Sequence, residues 1–299
     1  MAVSTQHGLV LASYRRHYTV RLDDGDELSC MLKGRDTTLA CGDRVRVARI
    51  AGGGVIESAL PRDSLLYRSD GFKDRLIAAN VTLIVGVVAP DVALDEELVH
   101  RWIIAAEAAH CRLIIAANKG DHPASAALLA RLAPIAALGY PVIALAAKES
   151  IAPLASSFEH ARTVLIGASG VGKSTILNTA VPGAAARTAA ISTALRTGRH
   201  TTSHSTLHLL PGGDSDRWII DSPGIKAFGL AHLAPAAIAD AFVDVRSIAD
   251  DCRFRDCRHD REPGCAVRAA VERGAIAAHR VELLRTLIAA SVAARAPGR

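Results

Sequence analysis

The nine residues Gly167, Ala168, Ser169, Gly170, Val171, Gly172, Lys173, Ser174 and Thr175 read "GASGVGKST". Gly167, Gly172, Lys173 and Ser174 have the spacing G-x-x-x-x-G-K-[ST] of a phosphate-cradling loop. Glycines let successive backbone N–H groups turn toward phosphate oxygens, and the helix start behind them adds positive potential. In that chemistry Lys173 reaches the β- and γ-phosphates and Ser174 holds Mg²⁺. The context fits, because the apolar run "RTVLIG" precedes the loop and the helix-like "STILNTA" follows it.

Two other short stretches complete a nucleotide site. "NKGD", residues Asn118, Lys119, Gly120 and Asp121, ends the apolar run "RLIIAAN". A carboxylate at Asp121 can accept from guanine N1–H and from its exocyclic amine, whereas adenine leaves the carboxylate unpaired. Asn118 can support the base and the loop, and the Lys119 stem can lie along the ring. "DSPG", Asp221 to Gly224, ends the run "RWIID". There Asp221 can hold Mg²⁺ and the Gly224 N–H can sense the γ-phosphate. A turn in "ALAAKE" can offer the N–H groups of Ala146 and Ala147 to guanine O6. Between the phosphate loop and "DSPG" lies "ALRTGRHTTSHST", a candidate switch in which Thr201 or Thr202 completes the Mg²⁺ shell. The residue after Gly224 is Ile225, which cannot orient a water. His200 is the substitute within the chain, alongside a plain surface-loop reading. The base reader precedes the phosphate loop, the reverse of the ordinary order.

A fourth constellation lies near the C-terminus. "CRFRDCRHDREPGC" places Cys252, Cys257, His259 and Cys265 together. Three thiolates and one imidazole form a closed tetrahedral Zn²⁺ set with no position left for water, which makes the metal structural. Cys30, Cys41 and Cys111 stand apart and read as small buried hydrophobes.

The remaining sequence must position these groups. The chain has 299 residues, 50% hydrophobic and 22% charged, a folded composition with room for two or three domains. Its most apolar stretch, "VTLIVGVVAP", is far short of the ~20 residues of a membrane helix. The start lacks a basic segment followed by an apolar block, so a cytoplasmic location without membrane contact is expected. Residues 1–58 alternate in "HYTVRL", "ELSCMLK" and "DRVRVARI", with turns at "DDGD" and "AGGG". About five short strands there predict a small β-barrel like the oligonucleotide-binding type. Residues 59–74, broken by Pro61 and Gly71, read as a linker. From 75 to 231 apolar strands alternate with helical patterns, the second interrupted by Pro134, which predicts a mainly parallel sheet covered on both faces. Residues 232–299 read as helical around the cysteine cluster. Of the net charge of +5, residues 246–299 contribute +4, a basic tail suited to an anionic partner such as RNA.

The order "NKGD", "GASGVGKST", "GRHTTS", "DSPG" and "CRFRDCRHDREPGCAV" resembles the circularly permuted, small-subunit-dependent GTPases of the RsgA or YjeQ family. The resemblance covers nearly the whole chain. It implies a multidomain α/β protein: an OB-like barrel, a permuted P-loop GTPase domain and a helical zinc-binding domain. It further implies slow hydrolysis of GTP to GDP and phosphate, stimulated by the small ribosomal subunit during late 30S maturation. Contact with 16S rRNA, one structural Zn²⁺, Mg²⁺ accompanying GTP and a monomeric chain complete the expectation. His200 and Lys173 are the candidate catalytic groups. Two other readings stand beside it: a GTP-switched RNA-binding adaptor, and a P-loop ATPase or kinase, which "NKGD" disfavours.

Overall fold

A computed structural model describes residues 5–14, 17–34, 38–69, 74–185, 205–212, 216–222, 228–230 and 232–295. The first five strands are β1 (Thr5–Tyr14), β2 (His17–Leu22), β3 (Glu27–Leu32), β4 (Arg44–Ile50) and β5 (Gly53–Ala59). Antiparallel pairs β1–β2, β2–β3, β4–β5 and β1–β4, with the parallel pair β3–β5, close them into a barrel. Alternation decides which side chains point inward. Val10, Tyr18, Val20, Leu22, Cys30, Val45, Val47 and Ile56 fill the interior, as the period-two pattern predicts. Outside, the basic side chains lean on acidic neighbours: Arg44 on Asp23 at 2.9 Å, and Arg49 on Asp24 at 2.8 Å.

Residues 59–74 do more than link. They contain β6 (Leu65–Ser69), which pairs with β7 (Asp74–Ala79) in a two-stranded hairpin. Leu66 and Ile77 are 2% and 3% exposed, and burying them outweighs the polar flanks of the segment. Arg62 fixes the approach by donating to both carboxylate oxygens of the buried Asp43, at 2.6 and 2.8 Å.

The second sheet is built from β8 (Leu83–Val88), β9 (Arg112–Ala117), β10 (Val142–Ala144), β11 (Arg162–Ile166), β12 (Thr206–Leu209) and β13 (Trp218–Asp221). Its order is β10-β9-β8-β11-β13-β12, parallel except for β12 against β13. All six residues of β8 are buried, as a strand covered on both faces requires. The intervening helices are α1 (Glu96–Ala108), α2 (Ser125–Ala137), α3 (Ala152–Phe158) and α4 (Lys173–Ala180). Asp95 caps α1 by accepting from the Leu98 N–H at 3.0 Å. Pro134 does not interrupt α2. It sits on the exposed face, so the carbonyl it leaves unpaired meets water, while Leu128, Leu132 and Ile135 carry the buried stripe past it.

Barrel and second sheet are continuous. β1 pairs with β12 at Ala12–Thr206, giving one eleven-stranded sheet. Leu9 and Leu11 on the barrel exterior join the same core as Leu207 and Trp218. At this seam Gly42 has φ +89°, and a Cβ there would lie 2.2 Å from the Ala79 carbonyl oxygen, so only glycine fits.

The C-terminal part folds as α5 (Pro235–Asp240), α6 (Val243–Ala249), α7 (Ala266–Glu272) and α8 (Ala278–Arg295). It docks on α1 through Arg280, which is 5% exposed. Arg280 donates to Asp244 at 3.0 and 2.6 Å and to His100 Nδ1 at 2.9 Å. The guanidinium can only donate, so His100 is held neutral with its proton on Nε2.

Burial, then the neighbouring Arg280 charge, lowers the His100 pKa to about 4. In the unfolded chain His100 takes up a proton near its ordinary value of 6.5, which the folded chain refuses until about 4. Its contribution to stability is therefore complete above pH 6.5 and lost as pH falls toward 4, amounting to about 3 kcal/mol at most. Chemical denaturation between pH 7 and 4 should show a stability slope that is shallower in His100→Gln by up to about one proton. Equal slopes in the two proteins would exclude this role.

Candidate nucleotide site and metal centre

The carboxyl ends of β9, β10, β11 and β13 all open on one edge of the sheet, where loops of a doubly wound fold bind ligands. The phosphate loop leaves β11 at Gly167, whose φ is +138° and whose Cβ would lie 2.3 Å from the Val87 carbonyl oxygen. It ends at Gly172, φ +100°, where a Cβ would meet the Asn118 amide nitrogen at 2.1 Å. Both glycines of the motif are thus steric requirements of this packing. Ser169, Gly170 and Ser174 are exposed along the loop, Ala168 and Thr175 half-buried, and Val171 buried.

Lys173 opens α4 and is 8% exposed. Its Nζ donates to the carbonyls of Gly167 and Ala168, both at 2.8 Å, which fixes it beside the loop. Burial pushes the Lys173 pKa down, and the Asp221 charge opposes the fall. Asp221, at the end of β13, shows the converse: burial raises its pKa, while Lys173 and the Ser222 N–H lower it. A buried ammonium and a half-buried carboxylate therefore share the site, each supporting the other's charge.

Asn118 joins three loops. It is 3% exposed. Its Nδ2 donates to the Val171 carbonyl of the phosphate loop at 2.9 Å, and its Oδ1 accepts from the Ala147 N–H at 2.9 Å. Gly120 N–H donates to the Leu145 carbonyl at 3.0 Å, a second tie between these loops. The N–H of Ala147 is consequently engaged by Asn118 rather than offered to guanine O6. Ala146 lies beside it, half-buried. Asp121 is exposed at the mouth. Lys119, at φ +61°, reaches Asp91 Oδ2 at 2.6 Å. Asp91 has its pKa lowered chiefly by that Lys119 hydrogen bond. Sequence reasoning missed Asp91, although an acid directly after the apolar run of β8 was a usable signal. His200, Thr201, Thr202 and Gly224 lie outside the described residues.

The cysteine cluster assembles. The ligand atoms of Cys252, Cys257, His259 and Cys265 all lie within 4.8 Å of one another. Cys252 Sγ is 4.0 Å from Cys265 Sγ and 3.7 Å from His259 Nδ1, and Cys265 Sγ is 3.5 Å from that nitrogen. A tetrahedral Zn²⁺ with bonds of about 2.3 Å to sulfur and 2.0 Å to nitrogen spaces its ligands about 3.5–3.8 Å apart, so the set fits one zinc ion. The local chain is built for it. His259 takes φ +58° in a tight turn, and Glu262 accepts from the N–H groups of Arg258, Asp260 and Arg261 at 3.0, 2.8 and 3.1 Å. Its own backbone N–H first, and then those of Arg258, Asp260 and Arg261, hold the Glu262 pKa down at about 2. Cys265 caps α7, accepting from the Arg268 N–H at 3.4 Å, which places a thiolate at a helix start.

With the geometry established, likeness to known proteins becomes informative. A sequence model described as RsgA GTPase matches residues 59–231. The small ribosomal subunit biogenesis GTPase RsgA of Nitrosospira multiformis is 42% identical over 293 residues, covering 97% of this chain and 92% of that protein. The protein of the same name from Nitrosomonas europaea is 41% identical over 286 residues, covering 94% and 90%. Among solved structures, YjeQ from Thermotoga maritima superposes with a TM-score of 0.71 at 25% identity, covering 97% of this chain and 99% of that one. YloQ, described as a circularly permuted GTPase, superposes at 0.69 with 23% identity, over 99% and 98%, a likeness of fold.

Truncating Asn118 to alanine would strand the Ala147 N–H and the Val171 carbonyl in a buried place. Each such loss costs about 1–3 kcal/mol, enough to disorder the alignment of the three loops. Asn118→Ala is expected to weaken guanine nucleotide binding by at least about tenfold while leaving the metal content unchanged. Nucleotide titration together with metal analysis checks this. Unaltered affinity would show that the loops hold their places without the amide.

Proposed function

This chain belongs to the RsgA GTPase family, and from that premise we propose residue roles and a partner for its GTP hydrolysis. The observation that carries the reading is the Asn118 amide, whose two hydrogen bonds bring the base reader and the phosphate loop into one pocket although they occur in reversed chain order. Asp121 reads the guanine edge. The N–H groups of residues 167–175 and Lys173 hold the phosphates, and Ser174 with Asp221 holds Mg²⁺. When bound, Mg²⁺ neutralises charge between the β- and γ-phosphates. Thr201 or Thr202 completes that shell, and the Gly224 N–H reports the γ-phosphate. Ile225 cannot orient a water, so hydrolysis by the isolated chain is slow, and His200 is the group within the chain that can serve instead. The Cys252, Cys257, His259 and Cys265 set holds Zn²⁺ as a structural ion.

Relatives carry the name small ribosomal subunit biogenesis GTPase, and the same task, late maturation of the 30S subunit, is proposed here. The surface supports an RNA partner at the C-terminal end. Arg253, Arg255, Arg258 and Arg261 are exposed on the metal loop beside Phe254, which is 40% exposed. Arginine and an exposed aromatic ring are suited to phosphates and unstacked bases of 16S rRNA. The barrel arginines at 21, 44 and 49 face their own carboxylates instead. Among the described residues no helix is long and apolar enough to cross a membrane, and the reading takes the chain as a cytoplasmic monomer.

The deciding experiment is GTP turnover with and without purified small subunits. Stimulation by about 10-fold or more is expected, reduced in His200→Ala with GTP affinity nearly unchanged. Subunit binding without stimulation would favour a GTP-switched adaptor, and His200→Ala turnover equal to wild type would assign the water to groups from the ribosome. The base reader has its own test, because an amide at residue 121 presents a donor where guanine needs an acceptor. Asp121→Asn should shift preference from GTP toward xanthosine triphosphate, measured by competition, and retained GTP preference would refute the assignment of Asp121.

A further inference from the structure

The seam between barrel and GTPase sheet runs between β1 and β12. Among the described residues, the two strands pair in register at Ala12 and Thr206. A single thiol straddles this place: Cys41 Sγ lies 3.4 Å from the Leu11 carbonyl of the barrel and 3.1 Å from the Ser205 carbonyl at the start of β12. Cys41 is 1% exposed, and its own carbonyl accepts from the Ala79 N–H at 2.9 Å, so its backbone is pinned. Burial pushes its pKa up to about 12, which keeps the sulfur protonated and therefore a donor.

Ser205 has a second engagement. Its hydroxyl lies 2.7 Å from the hydroxyl of Ser222, which is 1% exposed. In the β12–β13 ladder the last pair is Thr206 with Asp221, so the two serines extend the ladder by one step through their side chains. Ser222 follows Asp221 directly in the chain, so what anchors Ser222 also holds the backbone of Asp221. The path from the barrel to the Asp221 carboxylate is thus short: Cys41 thiol, Ser205 carbonyl and hydroxyl, Ser222 hydroxyl, and through the backbone to the adjacent Asp221.

We infer that Cys41, Ser205 and Ser222 are positioning residues through which the barrel fixes the end of β13 and sets the place of the Asp221 carboxylate. The inference rests on the reading in which Asp221 holds Mg²⁺. A half-buried carboxylate gains its orientation from what anchors its backbone, and here the anchor reaches across a domain boundary. Placement of metal-holding groups is sensitive to shifts of a fraction of an ångström. The barrel is then part of the hydrolytic apparatus as well as a surface.

The test is Mg²⁺ binding to the GDP-bound full chain by calorimetric titration, together with GTP hydrolysis as a function of Mg²⁺ concentration, the two being expected to shift in parallel. Asp221→Asn should raise the Mg²⁺ requirement most. Ser222→Ala and Cys41→Ala should each raise the half-maximal Mg²⁺ concentration by about three- to tenfold, the worth of one hydrogen bond, with turnover at saturating Mg²⁺ kept within about twofold. Ser222→Thr and Cys41→Ser keep a donor and should return most of the loss. An Mg²⁺ curve for Ser222→Ala and Cys41→Ala equal to wild type, with Asp221→Asn shifted, overturns the inference. An unshifted Asp221→Asn instead overturns the site reading beneath it. Should thermal melting show Cys41→Ala unfolded at the assay temperature, Ser222→Ala and Ser205→Ala, which each remove one oxygen, decide the matter by the same criterion.

Discussion

Both ends of one buried amide, that of Asn118, are engaged, and the arrangement of the nucleotide site follows from that requirement. A side-chain amide cut off from water must find a donor and an acceptor or the fold loses several kcal/mol. Here the donor end meets the phosphate loop after β11 and the acceptor end meets the loop after β10, while the residue itself ends β9. The three loops are brought to one point at the carboxyl edge of the sheet. Gly172 follows from the same contact, because the amide nitrogen occupies the place a Cβ would take. A buried amide has no memory of chain order. The pocket therefore tolerates a permuted chain, and permutation alters which segments meet the neighbouring domains.

Those neighbours join one continuous apolar core, each with its own polar tie. The barrel is joined by shared sheet and shared core, with Leu9 and Leu11 packed together with Leu207 and Trp218. The C-terminal helices share apolar core with α1, where Ile238, Phe242 and Leu284 join the cluster of Trp102 and Ile103, and add one polar tie: Arg280, paired with Asp244 of α6, also donates to His100 on α1. The guanidinium also stacks over Phe242 at 4.5 Å. Removing one partner from such a node leaves a buried charge without compensation. The chain leaving the GTPase sheet is caught between the hairpin and α8. Gly229 N–H donates to the Tyr67 carbonyl at 3.0 Å, and Ser291 of α8 donates to the Leu233 carbonyl at 2.7 Å. The segment that follows "DSPG" is thereby tied directly to the body carrying the metal centre.

Much of this was legible in the sequence because it is local. Period-two alternation gave the barrel interior, continuous apolar runs gave the parallel strands, and the glycine spacing and ligand spacing gave the phosphate loop and the Cys₃His set. Fold class and family follow from those patterns and agree with the observed topology and likenesses. What escaped is long-range or depends on a face. Pro134 looked like a helix breaker because the sequence does not say that it faces solvent. Residues 59–74 looked like a linker because the burial of Leu66 and Ile77 depends on the other domains. The N–H of Ala147 looked available because its partner lies 29 residues away in the chain. Cys41 looked like a small hydrophobe, and in packing it is one, but its thiol donates across a boundary between segments 164 residues apart.

The paired shifts of Lys173 and Asp221 accord with the proposed placement of a phosphate beside one and a divalent cation beside the other. Burial alone drives each group toward its neutral form, and each group's charge restrains the other. A phosphate oxygen near Lys173 favours the ammonium, and a cation near Asp221 favours the carboxylate, so the two ligands reinforce the charge states that receive them. Either alone leaves one buried charge less well compensated. The cost of desolvating the two groups is set by the fold, through the strand ends of β11 and β13, before any ligand arrives. Nucleotide and metal binding should consequently be coupled through electrostatics already present in the protein, with Asn118 keeping the base pocket aligned to the same point.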